Sequence, residues 1–122
     1  MRTYTIIYPR TTITYAELSD DTRLALLLLN PEQHFVSEEN VTLIRQALDI
    51  ENLANDELTY VRNAVVNLFS EIIHNERILA EGLSQKGAES KTHWQASDDA
   101  TTRMSMITAV IDNEKYKRGL AV

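Results

Sequence analysis

Between Asn55 and Gly82 the apolar residues Leu58, Val61, Val65, Leu68, Ile72 and Leu79 recur in alternating steps of three and four, broken only at Asn75 and Glu76. A strand would show a period of two, so this run predicts a long helix with one continuous apolar seam. Asn55 suits the N-cap, Asp56 and Glu57 suit the positive end of the helix dipole, and Gly82 suits the end. The spacing predicts a helix from Asp56 to Glu81 that is the spine of a bundle or a contact between copies.

The remaining chain sorts around that spine. Tyr4, Ile6 and Tyr8 alternate with Thr3, Thr5 and Ile7, predicting an extended start over residues 1–15, with a break at Pro9-Arg10 and a second strand at Thr12 to Tyr15 if a hairpin forms. Thr14-Tyr15-Ala16-Glu17 fits a capping box, and Ser19-Asp20-Asp21-Thr22 offers a second helix start before Leu24 to Leu29. Those apolar residues cover every side of a short helix, which predicts burial all round. Ser37 caps a helix with Val41, Ile44 and Leu48 on its apolar face. Residues 83–97, rich in Gly, Ser and Lys, read as a flexible loop, followed by a helix opened by Ser97 and ended by Gly119. The expected fold is α+β and mostly α: an N-terminal strand or β-hairpin followed by a four- to five-helix bundle. Residues 1–122 are expected to form a single domain, helical over 16–119.

Composition removes several function classes. The 122 residues hold no cysteine, which excludes disulfides, thiolate metal sites and cysteine nucleophiles. Three glycines cannot build a dinucleotide or P-loop fingerprint, and no Gly-x-Ser-x-Gly elbow is present. Eighteen carboxylates against twelve cations give a net charge of −6, so direct binding of nucleic acid through phosphate contacts is not expected. The longest apolar run, Leu24 to Leu29, is too short for a membrane span, and no secretory signal is read at the start, so no membrane association and a cytoplasmic setting are expected. No cofactor is expected.

The pattern Glu71-x-x-His74 matches half of a di-iron bundle motif. At about 100° per residue, however, His74 falls opposite the stripe of Val61, Val65 and Ile72, with Glu71 off the seam. A metal site would then need two chains. Glu76 falls near the middle of the seam, where a carboxylate needs a partner; Arg103 and Arg45 are the candidates, in a pair that fixes helix register. His93 and Trp94 sit in the 83–97 loop, where the tryptophan either plugs onto the core or anchors a partner; Glu89 would share a face with His93 if that loop were helical. His34 reads as a loop residue beside a buried Phe35.

Residues 37–60 hold six acids against Arg45 alone. Together with the surplus of apolar surface, this points first to a non-enzymatic interaction or regulatory protein of bacterial or phage type. It would bind another protein through Trp94, His93, Glu38, Glu39, Glu51, Asp56 and Glu57. The all-apolar segment and the seam favour a homo-oligomer, most simply a dimer. The alternatives are a small-ligand- or metal-binding protein, with or without enzymatic activity, with its site between subunits near Glu71, His74 and Glu76, or a nucleic-acid mimic or anti-defence-type inhibitor.

Overall fold

The computed structural model describes residues 4–7, 15–31 and 37–120, with side chains for 18–31 and 37–120. Expectations on Tyr8, Pro9-Arg10, Thr12 to Thr14, His34 and Phe35 lie outside the described residues. In chain order the elements are β1 (Tyr4–Ile7), β2 (Tyr15–Leu18), α1 (Asp20–Leu27), α2 (Glu38–Leu48), a 3₁₀ turn (Ile50–Asn52), α3 (Asn55–Gln85) and α4 (Lys91–Lys117).

This architecture corrects the expected α+β class with its N-terminal strand or hairpin. Of the residues described with side chains 82% are helical, in four helices and the 3₁₀ turn, and the fold is a helical bundle. The extended pairing among the described residues joins two four-residue segments, Tyr4 opposite Leu18 and Ile7 opposite Tyr15. A ribbon of that size makes no layer of its own and cannot define the class.

Helix starts follow side-chain chemistry. Ser19 Oγ accepts the Thr22 N–H at 3.2 Å, and Asp20 and Asp21 occupy the first turn of α1. The second of the two candidate starts is therefore the one used, and the box at Thr14 to Glu17 is not, because Tyr15–Leu18 is extended. Ser37 Oγ likewise accepts the Asn40 N–H at 3.3 Å to open α2. In α3 the N-cap is Ala54 rather than Asn55, and the Glu57 carboxylate reaches back to accept the Ala54 N–H at 2.7 Å.

The 83–97 loop is also corrected. Helix α3 runs through Gly82 to Gln85 and α4 begins at Lys91, so His93 and Trp94 are helical and Ser97 lies inside α4. The real stop is Gly87 at φ 72°, with the Gly87 N–H on Ser84 O at 3.1 Å and the Ala88 N–H on Leu83 O at 2.8 Å. This double bond closes a helix around a left-handed residue, a conformation glycine adopts without strain. The same closure recurs at Gly119, where Leu120 N–H meets Lys115 O at 2.9 Å.

Helices α3 and α4 form an antiparallel hairpin about 46 and 40 Å long at 1.5 Å per residue. Arg62 grips Asp112 with bonds of 2.8 and 3.2 Å, Arg77 Nε donates to Ser97 Oγ at 3.1 Å, and the Ser84 and Ser90 hydroxyls lie 2.8 Å apart. The members of each pair are equally distant in sequence from Gly87, so the helices run together without slippage. Against α4 pack α2, through Asn40 on Met106 Sδ at 3.5 Å, and α1, with the Leu29 carbonyl just past its end accepting Arg103 Nε at 2.7 Å. Thr22 Oγ1 donates to Ala47 O and joins α1 to α2.

The core gathers Leu26, Leu29, Ile44, Leu48, Ile50, Leu58, Val61, Val65, Phe69, Met106, Ile107 and Ile111. Two expectations fail at its edges. Leu24 and Leu28 are 57% and 72% exposed, because α1 lies on the outside of the bundle and buries one side only. The seam also drifts: Phe69 and Ala80 are buried while Leu79 is 50% exposed. An α-helix at 3.6 residues per turn loses about 20° per heptad against a strict 3.5 repeat, so by Leu79 the stripe has turned away from α4.

Candidate functional site

The core ends at Phe69 on α3 and Ala100 on α4, with Ile72 and Ile73 at its rim. Between Ile73 and Ala100 only Ala80 and Ser97 are buried among the described residues, so the two helices continue as an arm capped by the turn at Gly87. Its three turns of α3 past Ile73 project about 18 Å. Polar contacts replace apolar packing along it. Glu76 Oε2 lies 2.6 Å from His93 Nδ1 and the Arg77–Ser97 and Ser84–Ser90 contacts flank that pair.

The outside of the arm is apolar at one level. Ile78 and Leu79 are 54% and 50% exposed and Trp94 is 39% exposed. The in-register pairing about Gly87 sets Trp94 level with Ala80, so these three side chains band the arm within one helical turn. Tryptophan is among the residues most enriched at the energetic anchors of protein recognition.

The sequence candidates are distributed as follows. His93 and Trp94 stand together on the first turns of α4, in the arm. Glu76 is half-buried there but pairs with His93, not with Arg103 or Arg45; Arg103 instead holds the Leu29 carbonyl, just past the end of α1. That is a correction with a simple cause: α4 begins before His93, which brings the imidazole against Glu76 while Arg103 faces α1. Glu89 accepts the Lys91 backbone N–H rather than meeting His93. Glu71 and His74 are both exposed on α3. Among the described residues no group of three or more His, Asp or Glu is arranged to hold a metal ion.

The five acids do not make one surface. Glu57 is buried and caps α3, Glu51 is bridged to Arg45 at 2.7 Å, and Asp56 Oδ1 accepts the Glu57 N–H. Glu38 and Glu39 open α2, whose other end leads to the 3₁₀ turn near Asp56, about 16 Å away along the helix. Capping thus withdraws Glu57 from the surface.

Sequence reasoning missed the polar knot at the base of the bundle. Glu114, nearly buried, accepts Arg45 at 2.9 Å and Arg118 at 2.7 Å, and Arg118 also donates to Leu53 O at 2.7 Å and Ile50 O at 3.0 Å. The hydrogen bond from Arg118 holds the Glu114 carboxyl below its ordinary value against the opposing effect of burial, and Arg45 adds to it. Burial opposes the charge on Arg45, and its bonds to Glu114 and Glu51 overcome that, holding the guanidinium above its ordinary value. The i, i+4 spacing of Glu114 and Arg118 was the available signal. The knot ties α2, the 3₁₀ turn, the start of α3 and the end of α4 together, and leaves the opposite end, the arm, as the part of the hairpin not engaged in the core.

No helix among the described residues is long and apolar enough to cross a membrane. No protein-family model, curated protein or solved structure matches the chain, so its function is argued from this geometry.

Proposed function

We propose that the protein is a non-enzymatic interaction module, cytoplasmic and homo-oligomeric, that binds another protein through the end of its α3–α4 arm. The observation that supports this reading most is the band of Trp94, Ile78 and Leu79 on a projection stiffened by Glu76–His93 and Arg77–Ser97. A rigid aromatic anchor loses little conformational freedom on docking, which is what makes such residues effective contacts. The division of the acids between caps and ion pairs favours apolar docking over mimicry of a phosphate array.

A photo-crosslinking residue in place of Trp94 tests this in cells of the source. The expected result is a discrete adduct that disappears when Ile78 and Leu79 are both changed to Ser. The same probe in place of Tyr116, exposed but at the other end of α4, is expected to give no such adduct. Equal labelling from both positions, or none from position 94, overturns the proposal.

A further inference from the structure

We propose that the arm has a second, open state written into its sequence, in which α4 starts at Ser97 instead of Lys91 and residues 83–96 are released as one loop. As a regulation of the Trp94 band this rests on the reading above; as a transition of the free chain it does not. Ser97-Asp98-Asp99 is a complete helix start, a capping serine followed by two acids suited to the positive end of the dipole, yet it lies inside α4. Gly82, a residue type that ends helices, lies likewise inside α3. The closed arm thus runs both helices through their own terminators, while the start it uses, Ser90, makes no side-chain cap hydrogen bond. Serine and aspartate are weak formers of helix interiors and glycine is weaker still, so local chemistry favours the shorter helices.

Little opposes that preference. No residue from Glu81 to Ala96 is buried, and the closed form is held by Glu76–His93 at 2.6 Å, Ser84–Ser90 at 2.8 Å and Arg77–Ser97 at 3.1 Å. A segment with exposed backbone and few buried contacts opens at a lower free energy than the core. The two states compete for one atom. In the closed arm Ser97 is helical and its Oγ accepts the Arg77 Nε–H. In the open arm Ser97 is extended, as a capping residue must be, and the same Oγ accepts the N–H of Asp99 or Ala100. Opening stops there because the next turns are anchored: Ala100 and Met106 are buried and Arg103 holds Leu29 O. Release of residues 83–96 carries Trp94 away from Ile78 and Leu79, so a partner that binds the band draws the chain to the closed arm.

The test is residue-resolved native-state hydrogen exchange on the full chain. Residues 83–96 are expected to exchange through one common opening, with protection rising in a step at Thr101, the first amide bonded within a helix that starts at Ser97. Asp98→Asn keeps helix propensity nearly unchanged and removes a charge from the first turn of the open-state helix. It is expected to slow that exchange about two- to fivefold. Arg77→Met and Ser97→Ala remove the same closed-state bond, but only Ser97→Ala also removes the open-state cap. Exchange in Ser97→Ala should therefore be about tenfold slower than in Arg77→Met, of which helix propensity alone supplies about twofold. Protection graded smoothly back from Gly87, exchange of the arm only by global unfolding, Asp98→Asn exchanging as wild type does, or Ser97→Ala within about twofold of Arg77→Met overturns the proposal. Each of these results leaves the Trp94 adduct experiment standing, because that experiment reads the arm when a partner holds it.

Discussion

His93 Nδ1 lies 2.6 Å from Glu76 Oε2, and the two residues come from opposite helices of the arm, beyond the end of the hydrophobic core. With only Ala80 and Ser97 buried between Ile73 and Ala100, polar contacts must supply much of what holds the arm's helices together. Glu76→Ala or His93→Ala is expected to lower the free energy of local opening over residues 73–97 by about 1 kcal/mol, read by native-state hydrogen exchange. The double variant should open no more readily than the weaker single variant. Fully additive losses would show that the contact contributes nothing as a pair.

The Glu114 knot makes a prediction in pH. Its carboxyl is held below the ordinary value of 4.5, first by the Arg118 hydrogen bond, and Glu51 is held low by Arg45. A carboxylate with a depressed folded-state pKa contributes stability that is fully present above its unfolded value and is lost as pH falls through the folded one. Wild type should therefore lose stability below about pH 4.5, and Glu114→Gln should lose less over that same interval because one of the responsible groups is gone. At pH 7 Glu114→Ala should cost about 2–3 kcal/mol by urea denaturation, since it leaves Arg45 and Arg118 without their shared acceptor. A cost near zero would show the knot to be decoration.

Much of the bundle was legible in the sequence because its signals are local. Ser37 before an amphipathic run, Ser19 before two acids and Gly119 after the basic turn each specify a boundary by chemistry within a few residues. The arm was not legible, because Gly82 and the serines after it argue locally for a loop, and pairing with α4 overrides them. The site shared that fate: Glu76 stands out as a polar residue in an apolar seam, but its partner is set by where α4 begins. Among the acids, contiguity in sequence said nothing of Glu57 turning inward to cap its helix.

Gly82 offers a direct test of that override. It lies inside α3, and a Cβ built on it meets nothing within 4 Å. Gly82→Ala is expected to stabilise the arm by about 1 kcal/mol, both by helix propensity and by reducing the freedom of the unfolded chain. Hydrogen exchange at residues 78–86 should slow accordingly. Unchanged exchange would mean that the arm's end is frayed in solution.

The two sides of α1 should behave as different materials. Leu26 is fully buried, while Leu24 and Leu28 face outward on the same eight-residue helix and its cap. Truncating Leu26 to Ala should cost about 2–5 kcal/mol, the range for a core leucine that leaves a cavity. Replacing Leu24 and Leu28 together by Gln should change monomer stability by no more than about 0.5 kcal/mol for each site, because water already reaches both. The measurement is urea denaturation at concentrations too low for association, with the two free energies compared at equal slope. Leu24→Gln/Leu28→Gln costing as much as Leu26→Ala would mean that this face is covered even in the isolated chain. The small cost expected here leaves both leucines as apolar surface that the monomer does not use.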